Sequence, residues 1–167
     1  MNDLVPWSSR TSEEAALMNP AFMTVVLHYA ARGFEQESGM GMPFPLAFLV
    51  PPVVLVESTR LLLPRRKDSS LAAWLQNYPH ARLRFADISV SFVPLVREGL
   101  LFGVWKHVLS LIGDRVHADS LMRGSGAAVE ANTEEFQATM KASIFVGKWY
   151  ANAGSTETIM ALWGVRP

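Results

Sequence analysis

Four histidines are the residues with the most obvious chemistry to offer: His28, His80, His107 and His117. Only His107, His117 and Asp119 lie close enough in sequence to meet across a tight turn. Such a trio could hold a divalent metal, but no H-x-H or H-E-x-x-H spacing supports one, and no metal is expected. The chain has no cysteine. That excludes disulfides, thiolate nucleophiles and cysteine-ligated zinc, and it fits a reducing cytoplasm. No serine lies in a G-x-S-x-G turn, and no hydroxyl stands at a spacing that would place a base beside it. The acidic pairs Glu13-Glu14 and Glu134-Glu135 are sequence neighbours, so their side chains diverge and favour a helix start rather than acid–base work. Gly147-Lys148 runs into Trp149, not into the Ser or Thr of a phosphate loop. The glycines at 39–41 and 124–126 lack the strand-and-helix setting of a dinucleotide fold. A non-enzymatic chain without cofactor is expected.

Charge is balanced overall but uneven along the chain. Fifteen basic and fifteen acidic side chains cancel over 167 residues, half of them apolar. This composition buries a sizeable core and carries no global field toward nucleic acid or membrane. Residues 57–97, however, hold seven basic side chains against three acidic ones. Arg65, Arg66, Lys67, Arg82 and Arg84 are the candidates there for contact with DNA phosphates. A solvated, salt-bridged surface accounts for the same residues.

The elements that must position these groups read as mainly α with one β-hairpin, in a single domain over 1–167. Residues 1–18 form an extended N-terminal arm with no basic start or apolar run of a secretory signal. Asn19-Pro20 caps and opens a helix over 20–34, with Gly33 near its end. The most apolar window, 44–56, is interrupted by three prolines. It is shorter than the roughly 20 residues a membrane span needs, so no membrane is expected. A helix over 43–63 bends at Pro51-Pro52, and Ser69 caps a third. Pro79 opens a fourth helix that Pro94 kinks or splits. Val108–Ile112, Gly113-Asp114 and Val116 predict a hairpin with a tight turn. Residues 122–132 read as a Gly-rich linker. Thr133 starts a helix over 134–152, and Ser155 starts a last short one. Three helices and a hairpin over 44–118 follow the order of a winged helix-turn-helix, with the helix near His80 as the reading helix. Residues 133–167 form a C-terminal docking segment.

That segment is the most distinctive stretch. Trp149, Tyr150 and Trp163 fall close together, so the end of the chain docks on its own core or on another subunit. Tryptophan and arginine also favour binding hot spots. With Arg166, Asn19 and Phe22, these residues are the candidate protein contacts.

Several motifs point to one family. They are N-P-A-F at 19–22, P-x-P-L-A-F-L-V at 43–50, T-R-x-L-L-P at 59–64 and S-L-x-x-W-L at 70–75. The closing G-K-W-Y-A-N-A-G at 147–154 and W-G-V-R-P at 163–167 are the most specific. Together they resemble the middle component of bacterial three-component ABC systems. The resemblance covers nearly the whole chain and carries over no catalytic residue. It implies a small cytoplasmic adapter that couples an SMC-like ABC ATPase to an effector-type third subunit in antiphage or antiplasmid defence. It also leaves room for a winged-helix subunit that touches DNA within such a complex. The likeness of that arrangement to small condensin-type subunits is one of fold order alone.

Overall fold

The computed structural model describes residues 19–120 and 133–166. The N-terminal arm over 1–18 and the Gly-rich linker over 122–132 fall outside the described residues. Helix α1 spans Pro20–Ser38. Asn19 caps it, its side chain accepting from the Ala21 N–H at 2.8 Å. The helix continues past Gly33 and ends at Gly39, which takes a φ of 72°. Gly33 is therefore an interior residue, not a stop signal. Its reason is close approach to another helix.

That other helix is α7, Glu134–Asn152. A Cβ built on Gly33 would overlap the Ile144 carbonyl, and one on Gly147 would overlap the Ala30 carbonyl. The two backbones touch where only glycine fits. Thr133 caps α7 by accepting from the Phe136 N–H, and Glu134 and Glu135 sit in its first turn as the helix dipole favours.

Between these helices the chain is more broken than its apolar pattern suggests. Strand β1, Met42–Pro43, leads into a 3-10 turn over Phe44–Phe48. Helices α2, Val50–Val54, and α3, Glu57–Arg60, follow. The single bent helix expected over 43–63 is thus three short pieces. Pro51 and Pro52 fall in the first turn of α2, where a missing amide costs little. Helix α4, Leu71–Asn77, is capped by Ser70 rather than Ser69, and α5, Pro79–Arg82, is one turn. Leu83 is extended and Arg84 takes a φ of 60°, which separates α5 from α6, Phe85–Trp105. Pro94 stays inside α6 without splitting it. The carbonyl it frees lies on Val90, an exposed residue, so water can satisfy it.

The hairpin is present as expected. β2, Leu109–Ile112, pairs antiparallel with β3, Arg115–Ala118, around Gly113. Gly113 supplies the positive φ, 61°, that a two-residue hairpin turn takes. β1 adds a third strand to β3, Met42 opposite Val116, giving the order β1-β3-β2. Two residues carry no alternation, so the sequence held no sign of this strand. A winged-helix arrangement is not confirmed: the helix that would read DNA near His80 is the single turn α5, and α6 spends one face on the core.

The core lies around α1. On one side it meets α7; on the other it meets α6 at a G-x-x-x-G pair. Cβ atoms at Gly99 and Gly103 would stand 2.6 Å from Met23 Cγ and 2.9 Å from Thr24 Cγ2. The Thr24 hydroxyl donates to the Gly99 carbonyl at 2.6 Å. The final helix α8, Thr156–Trp163, is capped by Ser155. It seats Trp163 in a stack on Phe85 with ring centres 3.9 Å apart.

Gly147→Ala is expected to destabilise the domain by roughly 3 kcal/mol, because an overlap with backbone cannot relax by a rotamer change. Ala138→Gly, at an exposed site on the same helix, is expected to cost only about 1 kcal/mol. Urea midpoints of the two variants against the parent protein test the difference. Equal midpoints would contradict the backbone contact.

Candidate interaction face

The buried face of α6 holds Phe85, Ser89, Val96, Gly99, Leu100 and Gly103. At 100° per residue, the opposite face runs Val90, Pro94, Arg97, Leu101 and Val104, with Trp105 beside it. Val90 is 70% exposed, Leu101 73% and Trp105 68%. These apolar side chains form a stripe that no other part of the described residues covers. Lys106 closes one end, its ammonium 3.9 Å from the Trp105 ring centre. The same chain segment leads into β2, whose outer residues Leu111 and Ile112 are also exposed. Exposed apolar residues scattered singly need no account, whereas a row along one helix face marks an interaction site.

α6 is also long and apolar enough to cross a membrane by length and composition, with a mean hydropathy of 1.4 over its best window. It is longer than the 44–56 window that the sequence singled out, which remains the more apolar of the two. Arg97 and Glu98 sit within α6, and its glycine face is spent on α1, so only one side is unpartnered. Burying two mid-helix charges in lipid is expensive.

The contact residues expected from the sequence lie elsewhere and do other work. Asn19 is a helix cap, and Phe22 packs on Phe136 at 6.2 Å. Trp149, Tyr150 and Trp163 are buried in the chain's own core. Trp149 donates its indole N–H to the Ser69 carbonyl at 2.7 Å, and Trp74 donates to Leu62 at 2.8 Å. These indoles tie down the irregular 61–70 segment. Burial pushes the Tyr150 hydroxyl far up. While the domain is folded, the three residues dock the C-terminal segment on its own domain and have no side-chain surface to offer. Arg166 is exposed.

The basic candidates are partly engaged. Arg66 pairs with Asp68, and Lys67 pairs with Glu37. The hydrogen bond from Lys67, and then that from Asn152, hold the Glu37 carboxyl below its usual range. Arg82 reaches the Ala161 carbonyl at 3.5 Å, while Arg65 and Arg84 are exposed. The histidine trio does not assemble. His117 pairs with Glu35 at 2.9 Å, Asp119 accepts from Ser110, and His107 is exposed. Among the described residues no group of three His, Asp or Glu side chains could hold a metal ion.

Sequence reasoning did not single out Val90, Arg97, Leu101, Val104, Trp105, Leu111 or Ile112 as an exposed face. One signal was available. Apolar residues occupy positions all round 85–105, more than a single buried face can use.

The fold and this face define a small, mainly helical domain with an apolar helix surface left unpartnered among the described residues. A family model described as ABC-three component (ABC-3C) system Middle Component 3 matches residues 7–167, and the chain belongs to that family. No curated protein and no solved structure matches the chain.

On α1, His28 is buried with Nδ1 3.1 Å from the Val108 carbonyl. Desolvation lowers its pKa below the ordinary 6.5, against a smaller raising effect of that hydrogen bond. Below pH 6.5 the unfolded chain therefore binds a proton that the folded chain refuses. Stability is expected to be full above pH 6.5 and to fall as the pH drops from there toward the folded-state value. Urea midpoints from pH 8 to pH 5.5 test this. The His28→Asn variant should show a flatter profile, and an equally steep one would contradict the assignment.

Proposed function

We propose that this chain is a non-enzymatic cytoplasmic adapter. It couples an SMC-like ABC ATPase to an effector component in bacterial defence against phages or plasmids, with α6 as its contact surface. Membership of a middle-component family supports the setting. The observation that carries the reading is the uncovered stripe of Val90, Leu101, Val104 and Trp105 along one helix. A side chain in such a stripe stabilises a complex by leaving water, at roughly 25 cal/mol per Å² of apolar area removed. The C-terminal tryptophans contribute indirectly, by holding the domain that presents α6.

Co-expression of the three components, followed by size exclusion with light scattering, tests this reading. The parent chain should co-elute with the ATPase. Leu101→Asp should weaken that complex at least tenfold, or about 1.4 kcal/mol. Its thermal midpoint should hardly change, because Leu101 faces solvent in the isolated chain. A parent chain that elutes alone would overturn the adapter reading. In that case, salt-dependent binding of duplex DNA through Arg65, Arg66, Lys67, Arg82 and Arg84 becomes the supported alternative.

A further inference from the structure

Arg97 stands midway along the α6 stripe, seven residues from Val90 and seven from Val104. Those ends are about 21 Å apart at 1.5 Å per residue, the length of a four-turn helical contact. Arg97 is exposed. Among the described residues, no ion pair ties it to a carboxylate. Asp87 lies ten residues away toward the helix start, and Glu98 projects about 100° round the helix. Any occupant of the stripe therefore covers a guanidinium that no described carboxylate pairs, and a covered cation must find an anion or the contact is lost.

This requirement selects among occupants. A second copy of the chain fails it. With the stripe centred on Arg97, both parallel and antiparallel self-pairing set Arg97 against its own symmetry mate. A lipid surface fits poorly as well. Helices that lie on membranes keep their cations on the polar face, not at the centre of the apolar one. A helix from another protein meets the requirement if its own apolar stripe carries a carboxylate at the middle. Lys106 adds a second demand. It lies nine residues beyond Arg97, over the Trp105 ring, and has no carboxylate partner among the described residues.

We propose that α6 docks an amphipathic helix of a partner protein whose apolar stripe carries one Asp or Glu opposite Arg97 and a second, about two turns away, near Lys106. The proposal rests on the adapter reading and names the chemistry of its partner. Arg97 sets the register and orientation, because a bidentate guanidinium–carboxylate pair has a fixed geometry. The flanking Val90, Leu101, Val104 and Trp105 exclude water from it.

The probes are three synthetic amphipathic helical peptides with the same leucine stripe. They carry Glu, Gln or Lys at the central stripe position and two turns on. Binding to the full chain is read by fluorescence anisotropy. The Glu peptide should bind at least tenfold more tightly than the Lys peptide, with Gln between them, and Arg97→Glu should invert that order. Equal affinities, no binding of any peptide, or an order that survives Arg97→Glu would overturn the proposal. So would a dimer of the isolated chain in light scattering, or sedimentation with phosphatidylserine vesicles that Leu101→Asp abolishes. Failure of the adapter reading looks different. If the three-component complex forms with Arg97→Glu but not with Leu101→Asp, the adapter reading stands and the charge pairing falls. If the parent chain forms no complex, the adapter reading falls first.

Discussion

Everything in this domain hangs on the crossing of α1 and α7, where Gly33 faces the Ile144 carbonyl and Gly147 faces the Ala30 carbonyl. A helix gives up about 1 kcal/mol for each interior glycine relative to alanine. That cost is offset only if the missing side chains let two backbones come closer than side chains allow. The contact makes α1 an axle. Gly99 and Gly103 then bring α6 against its other side in the same manner, through Met23 and Thr24. Because α6 turns its small residues inward to reach α1, many of its large ones are left outward. The uncovered stripe is thus a consequence of how tightly the other face packs.

The aromatic cluster serves the same arrangement from the C-terminal side. Trp163 lies flat on Phe85 at the start of α6, and Trp74 meets both Trp149 and Trp163 edge-on. A chain end with two tryptophans looks like bait for a partner, yet here it is spent on the domain's own interior. The indole N–H groups of Trp74 and Trp149 bond the Leu62 and Ser69 carbonyls, which lie in or beside the loop between α3 and α4. A segment with little regular structure is held by side chains instead of backbone ladders. The contact with partners proposed above therefore falls to residues that the core does not use.

Local chemistry was legible in the sequence. Asn19-Pro20, Thr133 and Ser155 start helices where their side chains cap free amides, and Gly113-Asp114 turns the hairpin. Features that depend on distant residues were not legible. Gly33 read as a helix end because local propensity knows nothing of Ile144. Pro94 read as a kink or a break because local propensity does not count the packing on α1 that holds α6 together around it. β1 is two residues whose strand character comes wholly from β3. The interaction face was hidden for the same reason. Leu100 and Leu101 are equivalent in sequence, and only packing against α1 decides which is buried. The family, by contrast, was legible from the closing motifs, although those motifs proved to serve packing.

The central claim is that the outer face of α6 is where this middle component meets its partners. Hydroxyl-radical footprinting of the chain, alone and in the reconstituted three-component complex, tests it most directly. Trp105 and Leu101 should oxidise readily in the isolated chain and become protected in the complex. Met40, exposed in the loop after α1, should react equally in both. Undiminished oxidation of Trp105 and Leu101 in the assembled complex would contradict the account.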